Sequence, residues 1–272
     1  MLNTSSHAEG EPLFPSYKQR RANRERIVQS PAFDRIYWRL AGDYPSAISV
    51  MKTKHYDGQL ELFFVPDGNG SSGEWDETAA LPVTEPKVSS VAASVRSLDE
   101  WEYNLMKQHG SYRHESQEYY TYGELNDEDR PYREQGVEDG NWEEDSDAEF
   151  LVSCCGENRP LHKAGQRIEV TPSAGNRFVT VHDFISAVHP WLMELRDDLV
   201  LANTYTWQDQ FRDDEFLVDC LLMPELNILT KKQWHQNHQP PRMDASTLRF
   251  LERIRAEEAQ KAQKAQEAHE TQ

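Results

Sequence analysis

The chain has 272 residues, enough for one large domain or two small ones. Only 37% of them are hydrophobic and mean hydropathy is −0.83, which predicts a modest core flanked by polar segments. A net charge of −18 disfavours nucleic acid and anionic membrane as main partners, because like charges repel at long range.

The opening MLNTSSHAEGEPLF has no basic stretch followed by an apolar run, so no secretory signal is expected. No stretch approaches ~18 consecutive apolar residues, so no membrane span is expected either. Cys154, Cys155 and Cys220 read as reduced, buried structural thiols of a cytoplasmic and/or nuclear protein that is not secreted. An adjacent pair makes a poor disulfide framework and lacks zinc-site spacing.

Residues 1–24 read as a disordered, basic N-terminal segment, and the basic run continues through Arg26. The stretch QRRANRERIVQ resembles the basic region of helix-loop-helix transcription factors. Three features oppose that resemblance. The spacing between Ala-Asn and Arg-Glu-Arg is one residue short, which turns the glutamate by about 100° off the groove-facing side. Pro31 interrupts what should be one continuous helix, and a hairpin replaces the second helix.

Residues 25–66 read as a helix–hairpin module. Ser30-Pro31 is a helix start, and Phe33, Ile36, Tyr37 and Leu40 share one face until Gly42 stops it. Asp57-Gly58 then marks a hairpin turn between runs carrying Ile48 and Val50 before it and Leu60, Leu62 and Phe64 after it. Residues 67–96 read as a Gly/Pro/Ser linker. Residues 97–109 read as an amphipathic helix, opened by a Ser97-Leu98-Asp99-Glu100 capping box and faced by Leu98, Trp101 and Leu105. Residues 110–149 read as an acidic disordered segment, since from Gly123 to Phe150 twelve acidic residues meet only Arg130 and Arg133.

Residues 150–240 read as an α+β core domain, a small antiparallel or mixed sheet with one or two packed helices. Phe150–Cys155, Arg167–Val170 and Arg177–Val181 read as short strands, the last two joined across TPSAGN. The stretch FVTVHDFISAVHPWL, Phe178 to Leu192, then passes from strand to helix, and Pro190 predicts two short helices meeting near His189. Thr180 or Asp183 can satisfy the first free amides, while Phe184, Ile185, Val188, Leu192 and Leu195 form the buried face. Glu215–Leu222 reads as a strand buried on both faces, and Thr230 caps a short helix that Pro240-Pro241 ends. Residues 244–272 read as a polar helical tail with a short stripe of Leu248, Leu251 and Ile254.

His182, Asp183, His189 and Trp191 are the pocket candidates. The two histidines lie two helical turns apart, about 10 Å, too far to share a metal ion. His235 and His238 have metal-compatible spacing but only Gln and Asn around them, which fits a solvated helix end. No phosphate loop, nucleophile elbow or Cys/His dyad stands in the chain, so no catalytic residue, metal or cofactor is expected.

From Phe150 to His238 the order strand, strand, V-T-V-x-D, helix, buried strand, short helix resembles a domain of uncharacterised fungal proteins. The motif stands here as Val179-Thr180-Val181-His182-Asp183, with Ile185, Val188 and Leu192 at packing positions. The resemblance implies a small α+β unit in which the motif marks the strand-to-helix step, and no established chemistry. His189-Pro190-Trp191 departs from its commoner helix continuation.

The sequence favours a non-enzymatic interaction or scaffold protein whose acidic segment and polar tail engage protein partners, basic ones among them. One alternative is a small-ligand binder or enzyme with a site between the 25–66 and 150–240 modules. A second is a gene-regulatory role for the basic 18–29 stretch.

Overall fold

The computed structural model describes residues 14–68, 72–109, 116–127, 129–130, 146–161, 165–207, 215–240 and 253. The chain divides into two units, 1–238 and 239–272. In chain order the first unit holds α1 (Tyr17–Ala22), β1 (Val28–Gln29), β2 (Ile36–Arg39), β3 (Ile48–Met51), β4 (Leu60–Leu62), β5 (Phe64–Pro66), β6 (Gly73–Trp75), β7 (Thr84–Glu85) and β8 (Val91–Val95). Next come α2 (Arg96–Asp99), α3 (Trp101–His109), β9 (Gln117–Thr121), β10 (Glu149–Cys154), β11 (Glu157–Asn158) and β12 (Ile168–Val170). The last are α4 (Val181–Glu194), α5 (Arg196–Trp207), β13 (Phe216–Leu222), β14 (Glu225–Thr230) and α6 (Lys231–Asn237).

The fold is α+β. Seven strands form the main sheet in the order β12-β8-β14-β13-β2-β3-β4, antiparallel except for the parallel pair β14 and β8. Alternation along the strands sorts their side chains between two layers. Ile36, Trp38, Val50, Val218 and Ile228 enter the large core with Phe184, Ile185, Val188 and Leu192 of α4. Tyr37, Met51 and Leu217 pack instead with Trp234 of α6. A separate three-stranded sheet, β11-β10-β9, carries a small cluster of Leu105, Leu151 and Cys154.

Several expectations are corrected. Ser30-Pro31 leads into one 3-10 turn, Phe33–Arg35, and then into β2, where a helix is expected. Ile36, Tyr37 and Trp38 are all buried. A helix would bury one side of that run, whereas a strand between β13 and β3 buries both and completes two ladders. The hairpin strands β3 and β4 do pair, but across all of residues 52–59, with Asp57 and Gly58 only part of the loop.

The expected linker contains β6, β7 and β8, and β8 lies inside the main sheet. The expected disordered basic segment contains α1, whose Ser16 and Gln19 cap it reciprocally. β9 falls within the expected acidic disordered segment and pairs with β10. Residues 110–115, 128 and 131–145 of that segment, and the tail 244–272 apart from Arg253, lie outside the described residues. Strands of 25–66 and of 150–240 share one sheet, so no boundary between those segments divides it, while β10 leaves for the smaller sheet.

Ser97 does not cap a helix; α2 starts from Val95 without a side-chain cap, and Ser97 Oγ accepts from Asn203 Nδ2 at 3.1 Å. Arg177–Val181 is no strand, because only the bridge Pro82–Thr180 forms before α4 begins. That helix runs unbroken through Pro190. Burial of Phe184, Val188, His189 and Leu192 outweighs the hydrogen bond that proline removes. Cys155 is exposed, in contrast to Cys154 and Cys220.

Candidate ligand cavity

β13 crosses the middle of the sheet, and its run FLVDCLL places one acid among apolar residues. Asp219 is 5% exposed. Its Oδ1 accepts from Cys220 N at 2.9 Å, whereas Oδ2 has no hydrogen-bond partner. Burial pushes this carboxyl above its ordinary range, opposed by His238, the Asn237 amide and the Cys220 N–H.

His238 caps the end of α6, its ring stacked on Trp234 with centroids 3.8 Å apart. Nδ1 donates to Trp234 O at 2.9 Å, so Nε2 faces Asp219 Oδ1 at 3.7 Å. With Nδ1–H committed, an uncharged ring would turn a lone pair toward a charged carboxylate. His235 stacks on Tyr56 at 4.4 Å, so neither histidine is the free solvated end expected from WHQNH.

Asp34 of the 3-10 turn comes to the same place. Its backbone is fixed by Asp34 N donating to Ser30 O at 3.0 Å and Phe33 N to Ser30 Oγ at 3.1 Å. Burial raises its carboxyl and Asp219 raises it further, against Lys54 and His238. Asp34, Asp219, His238, Tyr17, Arg21 and Trp38 line one cavity of about 510 Å³. That volume is of ligand size. Tyr17 Oη donates to Met223 O, tying α1 to the turn after β13. Cys220 is buried, which pushes its thiol up, and it contacts Met223 Sδ at 3.2 Å.

The four sequence candidates do not share this cavity. Asp183 accepts from Thr180 N at 3.0 Å, Thr180 Oγ1 at 2.7 Å, Ser173 N at 3.2 Å and Asn176 Nδ2 at 3.3 Å. Burial alone would raise its carboxyl, but these bonds prevail and hold it below the ordinary range. Asp183 is thus half of the cap that starts α4.

His189 is buried, with Nδ1 accepting from Trp38 Nε1 at 2.9 Å and Nε2 donating to Gly42 O at 2.8 Å. Both ring nitrogens are used, and burial lowers its basicity. It holds the indole of Trp38 in place, and Trp38 is one of the residues that line the cavity. Trp191 packs on the main core. His182 sets its ring edge on Trp75 at 4.5 Å and lines a shallower recess of about 370 Å³ with Asp76 and Glu77.

Sequence reasoning missed Asp34, Asp219 and His238. A single acid inside a run that reads as buried on both faces is the signal that could have found Asp219. Among the described residues no three His, Cys, Asp or Glu side chains gather as a metal-binding group, and no helix is long and apolar enough to cross a membrane. The chain matches no family model, no curated protein and no solved structure.

Proposed function

We propose that the chain binds a small organic cation, its protonated nitrogen directed to Asp219 and Asp34 and an acceptor group directed to Arg21. Asp219 carries this reading. A buried carboxylate with one oxygen unbonded costs about 1–3 kcal/mol of solvation that packing does not return. A cation donating to Oδ2 removes that cost and converts it into affinity. This reading takes up the alternative of a small-ligand site, with Asp34 and Asp219 in place of His182, Asp183, His189 and Trp191.

Calorimetric titration with primary, secondary and quaternary ammonium compounds tests this proposal. Saturable binding of one class is expected, weaker by roughly ten-fold or more, about 1.4 kcal/mol, in Asp219→Asn. Equal affinity in the variant, or no binding of any member at millimolar concentration, refutes it.

A protein partner is the second reading. β4 stands last in the sheet order, and Leu60, Leu62, Val65 and Trp75 are exposed. Glu61 lies between the two leucines, so the occupant is an extended peptide with a cation flanked by apolar residues, added as an eighth strand. A second copy fits worse, since antiparallel self-pairing about Glu61 sets like charges opposite each other. Leu62→Lys should weaken binding of such a peptide several-fold by fluorescence anisotropy, and unchanged binding counts against the edge. None of the three cysteines is in a disulfide, which supports a reducing compartment, the cytoplasm or nucleus.

A further inference from the structure

The small sheet carries a chemistry the cavity does not use. Ser153 pairs with Asn158 and Cys154 with Glu157, so the β10–β11 loop is only Cys155-Gly156. Both loop residues have positive φ, 54° and 82°, the pattern of a type I′ turn. Asparagine or glycine suits the first central position, whereas a cysteine there holds left-handed backbone against its own Cβ. This cysteine is also exposed, whereas Cys154 is fully buried with Leu105 and Leu151.

The turn sets the two sulfurs 3.8 Å apart, with Ser116 Oγ 3.4 Å from Cys155 Sγ. An accessible thiol thus stands beside a sheltered one. Burial, and then Cys155 itself, hold the Cys154 thiol up, so it stays protonated until its neighbour has reacted.

We propose that Cys154 and Cys155 are a peroxide-responsive dithiol that closes to a disulfide across one peptide bond. The Cys155 thiolate attacks a hydroperoxide, ROOH. The O–O bond breaks, an alcohol leaves with a proton, and the sulfur becomes a sulfenic acid, oxidised by two electrons. Cys154 sulfur then loses its proton and displaces the hydroxyl, which departs as water while the S–S bond forms. Dithiol and hydroperoxide become disulfide, alcohol and water.

Adjacent Cα atoms lie about 3.8 Å apart, below the ~4.4–6.8 Å of ordinary disulfides, so the ring is strained and readily reduced. A bond of that kind is unsuited to bracing a fold and suited to reversal. Closure also draws Cys154 out of its cluster. From the same hairpin, Arg159 Nε donates to Leu151 O at 2.8 Å and Nη2 to Glu102 Oε2 at 2.7 Å, which extends the disturbance to α3.

The test treats the full chain with tert-butyl hydroperoxide, alkylates it with N-ethylmaleimide in denaturant, and maps the peptides. Expected is a 154–155 peptide lighter by two hydrogen atoms and refractory to alkylation, restored by dithiothreitol, with Cys220 still alkylated. Cys220→Ser should retain the behaviour. Cys155→Asn fits the turn and should fold with equal or greater stability, yet leave Cys154 unoxidised. Cys155 sulfinate beside an alkylated Cys154, chains cross-linked through Cys155, or no oxidation at all would each overturn the assignment.

Discussion

Replacing Asp219 with asparagine removes a charge from the centre of the sheet while leaving an acceptor for Cys220 N. Only one of the two carboxylate oxygens is hydrogen-bonded, so the charged form forfeits solvation worth about 1–3 kcal/mol. Asparagine should regain much of that at neutral pH without ligand. In a chain of this size each kcal/mol moves Tm by about 2–4 °C, so a rise of several degrees is expected.

The pH dependence sharpens this prediction. Burial sets the folded-state pKa of Asp219 above the unfolded value, so between the two the folded chain holds the extra proton. Its stability contribution is complete below the unfolded pKa and declines as pH rises through the folded one. Parent and variant should therefore coincide below about pH 4, separate as pH rises toward the raised value and stay apart above it. Urea denaturation followed by tryptophan fluorescence across a pH series measures the gap. A variant less stable than the parent at neutral pH would mean the carboxylate is a well-paired, stabilising charge, and the case for a cation would fail.

Trp38→Phe strips the donor from buried His189 Nδ1 and should cost about 1–3 kcal/mol in chemical denaturation. His189 has a lowered pKa, so the unfolded chain binds the proton more readily and stability should fall as pH drops below about 6.5. His189→Gln should flatten that part of the pH–stability curve. Asp183→Ala removes one half of the reciprocal cap of α4 and should cost about 1–2 kcal/mol near neutrality. In the parent that contribution holds above the ordinary carboxylate pKa and is lost as pH falls through the depressed one, read as a matching loss of Tm in acid.

Features fixed by neighbours along the chain were legible in the sequence. Thr180 with Asp183 and Thr230 with Gln233 each lie three apart, and both pairs stand at the starts of helices that open as cap residues dictate. Glu215–Leu222 was readable as a doubly buried strand because an apolar run of that length has few other uses. The segment around Ile36 was misread for a related reason. A strand covered on both faces loses its alternation, and Phe33, Ile36, Tyr37 and Leu40 then fall by coincidence on a helical stripe. β8, Val91–Val95, hid in a linker because Ala92, Ala93 and Ser94 give little hydrophobic contrast. The cavity was beyond reach, since Asp34, Asp219 and His238 meet only when β2, β13 and the end of α6 are docked, and nothing in their spacing records that.

The strand order has a consequence for biosynthesis. β13 and β14 slot between β8 and β2, both made far earlier, so the sheet keeps an empty berth until the ribosome has delivered almost the whole first unit. Until then β2 and β8 each wait with an unfilled ladder, the condition in which nascent strands recruit wrong neighbours. Assembly must therefore be a late, all-at-once event, and chains cut short before residue 215 should emerge as clients of chaperones instead of partly finished domains.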